Sequence, residues 1–426
     1  MFDLLVKGGT LPDGTRADIG ITGDRIAAIG SLPENAVQTI DATGDLVSPP
    51  FVDPHFHMDA TLSYGKPRLN ASGTLLEGIS LWGELRDLAT VDDMIARAVE
   101  YCDWAVSMGL LAIRSHVDTT PDHLRGVEAM LEVKARVAPY LDLQLVAFPQ
   151  DGLYRTKTGR DNLIRALDMG VDVVGGIPHF ERTMADGASS VADLARIAAD
   201  RGLMLDLHCD ETDDPLSRHV ETLAMEVTRH GLGGRAAGSH LTSMHSMDNY
   251  YVSKLLPLIA ESGMCAIPNP LINITLQGRH DSYPKRRGLT RVKEMQAHGI
   301  TVGWGQDCVL DPWYSLGTAD MLDVAFMGLH VAQMTSPQDM ARCFDMVTTQ
   351  NAAILNLADY GLRVGAQASL VVLDAGGPVE ALRLRPDRLC VISKGKLVAQ
   401  RARNDAQLTL PGRPASVRRR HRTGQA

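Results

Sequence analysis

The sequence predicts an α/β protein, a (β/α)8 barrel of the TIM type with a small β-sandwich domain built from both chain ends. Strand-like apolar runs alternate with amphipathic helical segments eight times over the central part of the chain, which is the pattern of such a barrel. Metal-binding and polar side chains recur where these runs end. Both chain ends carry apolar alternations broken by Gly, Pro and Asp, which are typical of β-strands and tight turns.

Composition limits the class of protein. With 426 residues, 45% hydrophobic and 22% charged, the chain is typical of a globular protein. A net charge of −9 disfavours a protein that binds nucleic acid by neutralising phosphates. We find no run of about 18 apolar residues and no secretory signal, and the six cysteines are widely spaced without a CxxC pair. We therefore expect a cytoplasmic protein with reduced thiols that binds neither nucleic acid nor membranes.

The two ends of the chain differ from its middle. We expect residues 1–50 and 361–426 to pair into the small β domain, and residues 51–360 to form the catalytic barrel. The last 14 residues, RPASVRRRHRTGQA, are basic and lack an apolar pattern, so we expect a solvated or loosely packed terminus.

The barrel elements follow in order along the chain. Near-continuous apolar runs are typical of strands buried on both faces. The predicted strands are residues 46–57, 110–118, 143–150, 171–178, 203–211, 236–242, 264–270 and 300–307. Helical periodicity appears between several of them, at residues 91–109, 121–137, 162–170 and 189–202.

Chemically active side chains mark the C-terminal ends of these strands. In a (β/α)8 barrel such ends converge on one face, where active sites of this fold lie. The residues concerned are His55, His57, His116, Asp118, Gln150, His179, His208, His240, Asn269 and Asp307. Their recurrence predicts one polar site at the rim of the barrel.

Four of these residues predict a metal site. His55 and His57 form an HxH pair, and side chains two apart on a strand point to the same face. His208 ends the fifth strand and Asp307 ends the eighth. Three imidazoles and one carboxylate suit Zn²⁺ or Fe²⁺ better than Ca²⁺ or Mg²⁺. We expect one divalent ion, zinc or iron, which would make hydroxide available from water at neutral pH.

Longer blocks carry a resemblance to a known family. They include FVDPHFHMDATLSYGKPRLNASGTLLEGI, VVGGIPHFE, LDLHCDETDD, NPLINITLQGRHDSYPKRRGLTRVKEM and DPWYSLGTADML. Together with the strand-end residues, they resemble the amidohydrolase superfamily and, within it, the bacterial cytosine deaminases, from about Val47 to Tyr360. The resemblance implies a metal-dependent deaminase of a free pyrimidine base. A homo-oligomer is also expected, as in similar enzymes.

The resemblance also implies roles for individual residues. His55, His57, His208 and Asp307 would bind one ion. The fourth strand lacks the Lys found in two-metal relatives. His240 would hydrogen-bond the attacking water and help to deprotonate it, alongside Asp307. Glu211 would carry a proton to ring nitrogen N3 and on toward the departing amine.

Substrate recognition is predicted at the third strand and in nearby loops. The Gln150 amide has one acceptor and one donor group, which complement the N1–H and C2 carbonyl of a free base. By resemblance, the Leu75 backbone would contact the opposite edge, and Phe148 and Trp313 would line the pocket. Simple core packing remains the alternative for these two aromatic residues.

One position departs from the family pattern. Cytosine deaminases of this type usually have a second Asp after the metal-binding Asp, near C5 of the ring, whereas here Cys308 follows Asp307. An uncharged thiol tolerates apolar contact and leaves room for a methyl group. We therefore expect activity on 5-methylcytosine, giving thymine, as well as on cytosine, giving uracil. The alternative is that Cys308 is a neutral replacement in a plain cytosine deaminase.

Other functions remain open from the sequence. A related enzyme could deaminate isoguanine, creatinine or an aminotriazine, because the same site suits any planar ring with an exocyclic amine beside a ring nitrogen. Ring opening of the dihydropyrimidinase type usually accompanies the two-metal, Lys-containing site. A non-catalytic scaffold would be expected to lose metal ligands, and all four are present.

Overall fold

The computed structural model describes residues 1–420. The remaining residues, 421–426, belong to the predicted small domain and its basic tail, and they lie outside the described part. Five strands open the chain, and they are β1 (Phe2–Thr10), β2 (Arg16–Thr22), β3 (Arg25–Gly30), β4 (Ala36–Asp41) and β5 (Leu46–Ser48). The turn between β1 and β2 contains Gly14 at φ 86°, a left-handed conformation that glycine adopts readily.

Seven parallel strands form the barrel wall, in the spatial order of the sequence. They are β6 (Phe51–Phe56), β7 (Leu110–Asp118), β8 (Asp142–Phe148), β9 (Val173–Gly176), β10 (Met204–Cys209), β11 (Ala236–His240) and β12 (Cys265–Ile267). Most of their residues are buried, as expected for parallel strands covered on both faces.

The predicted eighth strand closes the barrel without forming a regular strand. It makes isolated parallel bridges at Val302, with Ala266, and at Asp307, with Phe56. A Cβ at Gly303 would lie 1.9 Å from Asn351 Oδ1, and one at Gly305 would lie 2.1 Å from Asn269 Oδ1. The two glycines therefore let the Asn351 and Asn269 side chains lie directly against the backbone of this segment.

Thirteen α-helices are found within residues 1–420. They are α1 (Leu75–Leu88), α2 (Val91–Ser107), α3 (Arg125–Val137), α4 (Gly159–Asp168), α5 (Met184–Arg201), α6 (His219–His230), α7 (Asn249–Ser262), α8 (Pro270–Leu276), α9 (Val292–Ala297), α10 (Met321–Val331), α11 (Pro337–Asp345), α12 (Thr349–Ile354) and α13 (Pro378–Leu384). Thr74, Thr90 and Thr183 cap the N-termini of α1, α2 and α5 through their side chains, which satisfies backbone N–H groups that the helix leaves free. Across residues 1–420, we find no helix with the length and apolar character needed to cross a membrane.

Both chain ends build one further sheet. The C-terminal strands are β13 (Leu370–Leu373), β14 (Arg388–Ser393) and β15 (Lys396–Gln400), followed by the short β16 (Ala406–Gln407) and β17 (Ser416–Val417). The sheet order is β15-β14-β13-β5-β1-β2-β3, with β4 beside β1. Side chains from both halves, including Val6, Ile19 and Val372, share one core. The predicted barrel with a strand-rich domain from both ends is confirmed, while the exact domain boundaries stay a prediction.

The described part of the basic tail lies against this sheet. Within the tail, Arg418 Nε donates to Asp374 at 2.9 Å, and ten residues before the tail begins, Arg403 donates to Asp45 at 3.2 Å. Asp45 is fully buried. The described tail residues 413–417 and 419 are exposed, as expected for a solvated terminus, while Arg418 and Arg420 are half-buried against the sheet.

Candidate active site

The predicted metal ligands meet at the C-terminal rim of the barrel. Asp307 Oδ1 lies 3.4 Å from His55 Nε2 and 3.3 Å from His57 Nε2. The Nε2 atoms of His57 and His208 are 3.0 Å apart. These four residues come from β6, the residue that follows it, β10 and the closing segment, so the barrel wall brings together side chains that are distant in sequence.

The arrangement fits a divalent ion. With bonds of about 2.0–2.1 Å, two ligands on one tetrahedral ion are roughly 3.4 Å apart, close to the separations observed. His55 Nε2 is buried without a hydrogen-bond partner, and buried polar atoms normally have one. Atoms of His55, His208, His240 and Asp307 also lie within 4.8 Å of one another. The donor set of imidazoles and a carboxylate suits zinc or iron.

Charges in the cluster favour metal binding. Burial alone would raise the pKa of Asp307, but its contacts with His55 and His57 outweigh that effect and hold the pKa well below its usual range. Burial, together with the neighbouring imidazoles, lowers the pKa of His208 well below its usual value. Asp307 is therefore a carboxylate and His208 a neutral imidazole at neutral pH, and these are the forms that ligate metals.

Two residues of the cluster adopt left-handed backbone conformations. The φ angles are 68° at His240 and 71° at Asp307. Such conformations are unfavourable for residues other than glycine and cluster at functional sites. Here they occur where the strands end and the chain turns across the rim.

Glu211 and His240 lie beside the cluster. His240 Nδ1 is 3.4 Å from Glu211 Oε1, and His240 Nε2 is 4.0 Å from Asp307 Oδ2. Burial, followed by the nearby charge of Asp307, raises the pKa of Glu211 well above its usual value. Glu211 therefore holds its proton to higher pH than a solvated glutamate does, which suits a group that donates a proton.

Asn273 is a contact of His240 that the sequence analysis missed. Its Oδ1 accepts the backbone N–H of Asn269 at 3.0 Å, which turns its Nδ2 toward His240 Nδ1, also at 3.0 Å. Asn269 Nδ2 lies 3.3 Å from Nδ1 and 3.4 Å from Nε2 of the same ring. Because amide nitrogens only donate, the shorter contact with Asn273 makes Nδ1 the better acceptor and favours a proton on Nε2 of the neutral ring. The NPLIN segment was visible in sequence, but its approach to His240 depends on how α8 turns over the barrel.

A cavity opens next to these groups. Four of the predicted substrate residues line it, namely Leu75, Gln150, Cys308 and Trp313. His57, His208, Glu211, His240 and Asp307 line it as well, together with Ile177, Ile272 and Leu276, which were not predicted. A Cβ at Gly78 would come within 2.3 Å of Trp313, so the glycine lets α1 pack closely against this indole.

Phe148 does not line this cavity, contrary to the prediction. Its ring stacks on His208, with centroids 4.1 Å apart and an angle of 18° between the planes. It is also a neighbour of the His57 and His116 rings. The last position of β8 faces the barrel interior, so Phe148 supports the imidazole cluster from behind.

Cys308 is buried beside the cluster. Its Sγ lies 3.7 Å from Asp307 Oδ1. Burial, followed by the charges of Asp307 and Asp311, raises the pKa of the Cys308 thiol well above its usual value. The wall of the cavity at this position is therefore an uncharged thiol.

The remaining strand-end residues have other surroundings. Asp118 accepts from Trp82 Nε1 at 2.9 Å and from Arg86 at 2.7 Å. His179 Nδ1 lies 3.1 Å from the carbonyl oxygen of His208. His116 lies inside the imidazole cluster, and both of its ring nitrogens are without hydrogen bonds. The barrel thus brings all the predicted side chains to one end, but only some of them to the cavity.

Comparisons with known proteins identify the family. The model of the amidohydrolase family matches residues 38–399. The chain belongs to the amidohydrolase family, and the resemblance stated from its motifs is confirmed.

Individual relatives cover nearly the whole chain. The solved structure of 5-methylcytosine deaminase from Klebsiella pneumoniae liganded with 5-fluorocytosine is 41% identical, with a TM-score of 0.93, covering 95% of this chain and 99% of that one. The same enzyme liganded with phosphonocytosine gives 42% identity, a TM-score of 0.91, and coverages of 94% and 99%. N-isopropylammelide isopropyl amidohydrolase of Pseudomonas sp. (strain ADP) is 28% identical over 94% of this chain and 98% of its own length.

Proposed function

We propose that this chain hydrolyses the exocyclic amine of a free pyrimidine base, converting 5-methylcytosine to thymine and cytosine to uracil, with release of ammonia. The observation that carries the proposal is the uncharged Cys308 thiol in a cavity that is also lined by Glu211, by Gln150 and by three of the four predicted metal ligands, His57, His208 and Asp307. The likeness to the Klebsiella 5-methylcytosine deaminase structures supports the same substrate class.

His55, His57, His208 and Asp307 would hold one divalent ion, zinc or iron. Such an ion supplies Lewis-acid chemistry that makes water nucleophilic near neutral pH. The fourth barrel strand, β9 (Val173–Gly176), offers no lysine for a second ion. One ion per chain is therefore part of the proposal.

The protein groups divide the proton transfers between them. Asp307 accepts a proton from the attacking water, whose oxygen adds to C4 of the ring. His240 donates a hydrogen bond from Nε2 toward that oxygen, because Asn273 occupies its Nδ1. Of the two groups predicted to take the proton from water, this geometry favours Asp307.

Glu211 acts on the other side of the reacting carbon. Its protonated carboxyl gives a proton to N3 as the oxygen adds. A second proton, taken from the water by Asp307, reaches the amino nitrogen, which leaves as ammonia when the C4–N bond breaks. Glu211 takes back the proton of the C4 hydroxyl as the carbonyl forms and the amine leaves. Water and the base thus yield the keto product and ammonia, and both carboxyl groups return to their starting states.

Gln150 and the cavity wall orient the base. The Gln150 amide pairs with N1–H and the C2 carbonyl, which a nucleoside lacking N1–H cannot match. The Leu75 backbone contacts the opposite edge, and Trp313 covers the ring. Cys308 lies toward C5, where an apolar methyl group contacts the thiol without displacing water from a carboxylate.

Kinetics on the two bases test this proposal. We expect the parent protein to turn over both cytosine and 5-methylcytosine. Cys308→Asp should lower kcat/KM for 5-methylcytosine relative to cytosine by about 10- to 200-fold, the usual worth of one methyl group in a pocket. Cys308→Ser, which stays uncharged, is the control and should retain the parent preference more closely. A parent that deaminates cytosine but ignores 5-methylcytosine would overturn the substrate assignment.

The relative named for N-isopropylammelide supports a second candidate. In it, the same groups would deaminate another amino-substituted ring, such as isoguanine, creatinine or an aminotriazine. Ammonia release across a panel of these compounds and the two pyrimidines separates the candidates. A homo-oligomeric state and a cytoplasmic location remain predictions from the sequence.

A further inference from the structure

A chain of buried polar groups runs beneath the proposed metal site. His55 Nδ1 lies 2.9 Å from Ser239 Oγ, which donates to Asp206 Oδ1 at 2.7 Å. Arg114 Nη1 donates to the other carboxylate oxygen, Asp206 Oδ2, at 2.9 Å. All four residues are 0% exposed. They come from β6, β11, β10 and β7, so the chain crosses the barrel interior.

The hydrogen bonds have only one consistent direction. Asp206 lies against the guanidinium of Arg114 and is an acceptor for both of its partners, as a carboxylate must be. The single Ser239 hydroxyl proton therefore points to Asp206. The Ser239 oxygen must then accept from His55, which puts the imidazole proton on Nδ1. When the ring is neutral, its lone pair is then on Nε2, the atom 3.4 Å from Asp307 Oδ1, where the ion would lie between the two.

We propose that Ser239 and Asp206 are positioning residues that hold His55 in the Nδ1–H tautomer, so that its Nε2 is ready to bind the ion. Neither residue contacts the cavity that the substrate would enter. Ligating histidines usually donate their second ring N–H to a neighbouring group, which fixes the ring and strengthens the ligand. Here the partner is a serine, and the carboxylate acts through it.

Arg114 anchors this chain of groups. It also donates to Gln144 Oε1, at 3.2 Å from Nε, and to the carbonyl oxygen of Ile354 at 3.3 Å. Burying an ion pair costs free energy that packed apolar side chains would not cost. Because Asp206 is hydrogen-bonded to Ser239, and Ser239 to His55, this buried ion pair can orient a metal ligand, which apolar packing could not do.

The first experiment measures Zn²⁺ affinity of the metal-free protein by competition with a chelator. Ser239→Ala removes the hydroxyl and keeps the Asp206–Arg114 pair. We expect its Zn²⁺ affinity to fall about 10- to 100-fold. Ser190→Ala is the matched control, because Ser190 is equally buried but bonds to the carbonyl oxygen of Gly187 on α5. The control should bind Zn²⁺ as the parent does.

The second measurement reads the tautomer directly. Nitrogen NMR of ¹⁵N-histidine-labelled, metal-free protein, with His55 assigned from a His55→Gln spectrum, distinguishes Nδ1–H from Nε2–H. We expect a proton on Nδ1 in the parent and in Ser190→Ala, whether or not Asp307 keeps a second proton on Nε2 of the metal-free ring. In Ser239→Ala the proton should distribute over both nitrogens. A purely structural role for Ser239 would lower stability without moving this signal.

Asp206→Asn gives an independent check where it folds, as judged by circular dichroism. Its amide nitrogen can donate to Ser239, so the hydroxyl can turn toward His55 and favour Nε2–H. The inference is overturned if Ser239→Ala keeps parent Zn²⁺ affinity, or if the parent itself has His55 as Nε2–H.

This inference rests on the proposed metal site but needs no substrate. A parent protein that binds no Zn²⁺ or Fe²⁺ contradicts the proposed function. Tight binding by the parent with unchanged binding by Ser239→Ala contradicts only the positioning role.

Discussion

The charge states of a few side chains decide what the site can do. Glu211 is buried and its pKa is raised well above its usual value, so it holds a proton to higher pH than a solvated glutamate does. His240 has a pKa well below its usual value, because burial disfavours its charged form. The site thus combines an acid that can donate a proton, Glu211, with a neutral imidazole, His240, and a carboxylate that can accept one, Asp307.

Glu211→Gln tests the proposed acid. Glutamine keeps the size of the side chain but cannot release a proton, so we expect deamination to fall about 10²- to 10⁴-fold, the usual range for one general acid or base. Metal content should stay at the parent level. Rates of ammonia release and elemental analysis of the same preparation check both points. Loss of the ion in this variant would show that Glu211 is a ligand.

His240→Asn tests a separate role. Removing the imidazole should reduce kcat strongly while the ion remains bound, because the four proposed ligands, three histidines and Asp307, are all still present. The matched comparison is His208→Asn, in which both activity and bound metal should be lost. If His240→Asn also empties the site, then His240 is a ligand.

Sequence reasoning succeeded for residues whose position follows from strand ends. His55, His57, His208 and Asp307 needed only the barrel rule to be brought together. Phe148 and Asn273 show what this rule cannot predict, which is the direction in which a side chain points. The first points behind His208, and the second reaches His240 through the turn of α8, and neither orientation follows from strand periodicity.

At the scale of elements, the first turn of α1 shapes one side of the cavity. Leu75 is its first residue, and Thr74 caps the helix by accepting from the Glu77 N–H at 3.3 Å. Glu77 in turn accepts from the backbone N–H groups of Ala71 and Ser72 at 3.1 and 2.6 Å. Together these hydrogen bonds connect the loop before α1 to the first turn of the helix, where Leu75 lies.

Thr74→Ala should loosen this edge of the site. We expect a loss of about 1 kcal/mol in stability from the missing cap, together with a higher KM and a smaller change in kcat. Thr90→Ala is the matched control, since Thr90 caps α2, which has no residue in the cavity. It should lose similar stability without a change in KM. Equal KM values for both variants would contradict the role of the α1 cap.

The closing segment shows the limit of element prediction. Residues 300–307 have the apolar pattern of a strand, and they do close the barrel. Gly303 and Gly305 instead let Asn351 and Asn269 contact the backbone. Asn351 Nδ2 donates to the carbonyl oxygens of Val52 and Trp304 at 2.7 and 2.9 Å, and these side-chain bonds replace part of the ladder. Such distant partners cannot be identified from the local pattern.

For the whole molecule, Arg388 of the terminal sheet connects that sheet to the barrel. Its guanidinium pairs with Asp320, the N-cap of α10, and both side chains are buried. Its Nε donates to the carbonyl oxygen of Met108 at 3.1 Å. The sequence predicted that both chain ends would pair into one sheet, but not this buried ion pair.

Arg388→Met should destabilise the protein by about 3–5 kcal/mol, because it leaves the buried carboxylate of Asp320 without its partner. The midpoint of urea unfolding measures the loss. Arg136→Met is the control, since Arg136 pairs with Glu132 on an exposed helix face, where such pairs contribute roughly 0–1 kcal/mol. Similar midpoints for both variants would show that the buried pair does not hold the sheet to the barrel.

The central claim is that one divalent ion, held by three histidines and Asp307, enables deamination. Its most direct test is to titrate metal-free protein with Zn²⁺ or Fe²⁺ while following the formation of thymine from 5-methylcytosine and of uracil from cytosine. We predict no product without metal, then a linear rise that ends at one ion per chain. Full activity in the metal-free protein, or saturation only at two ions per chain, would contradict the claim.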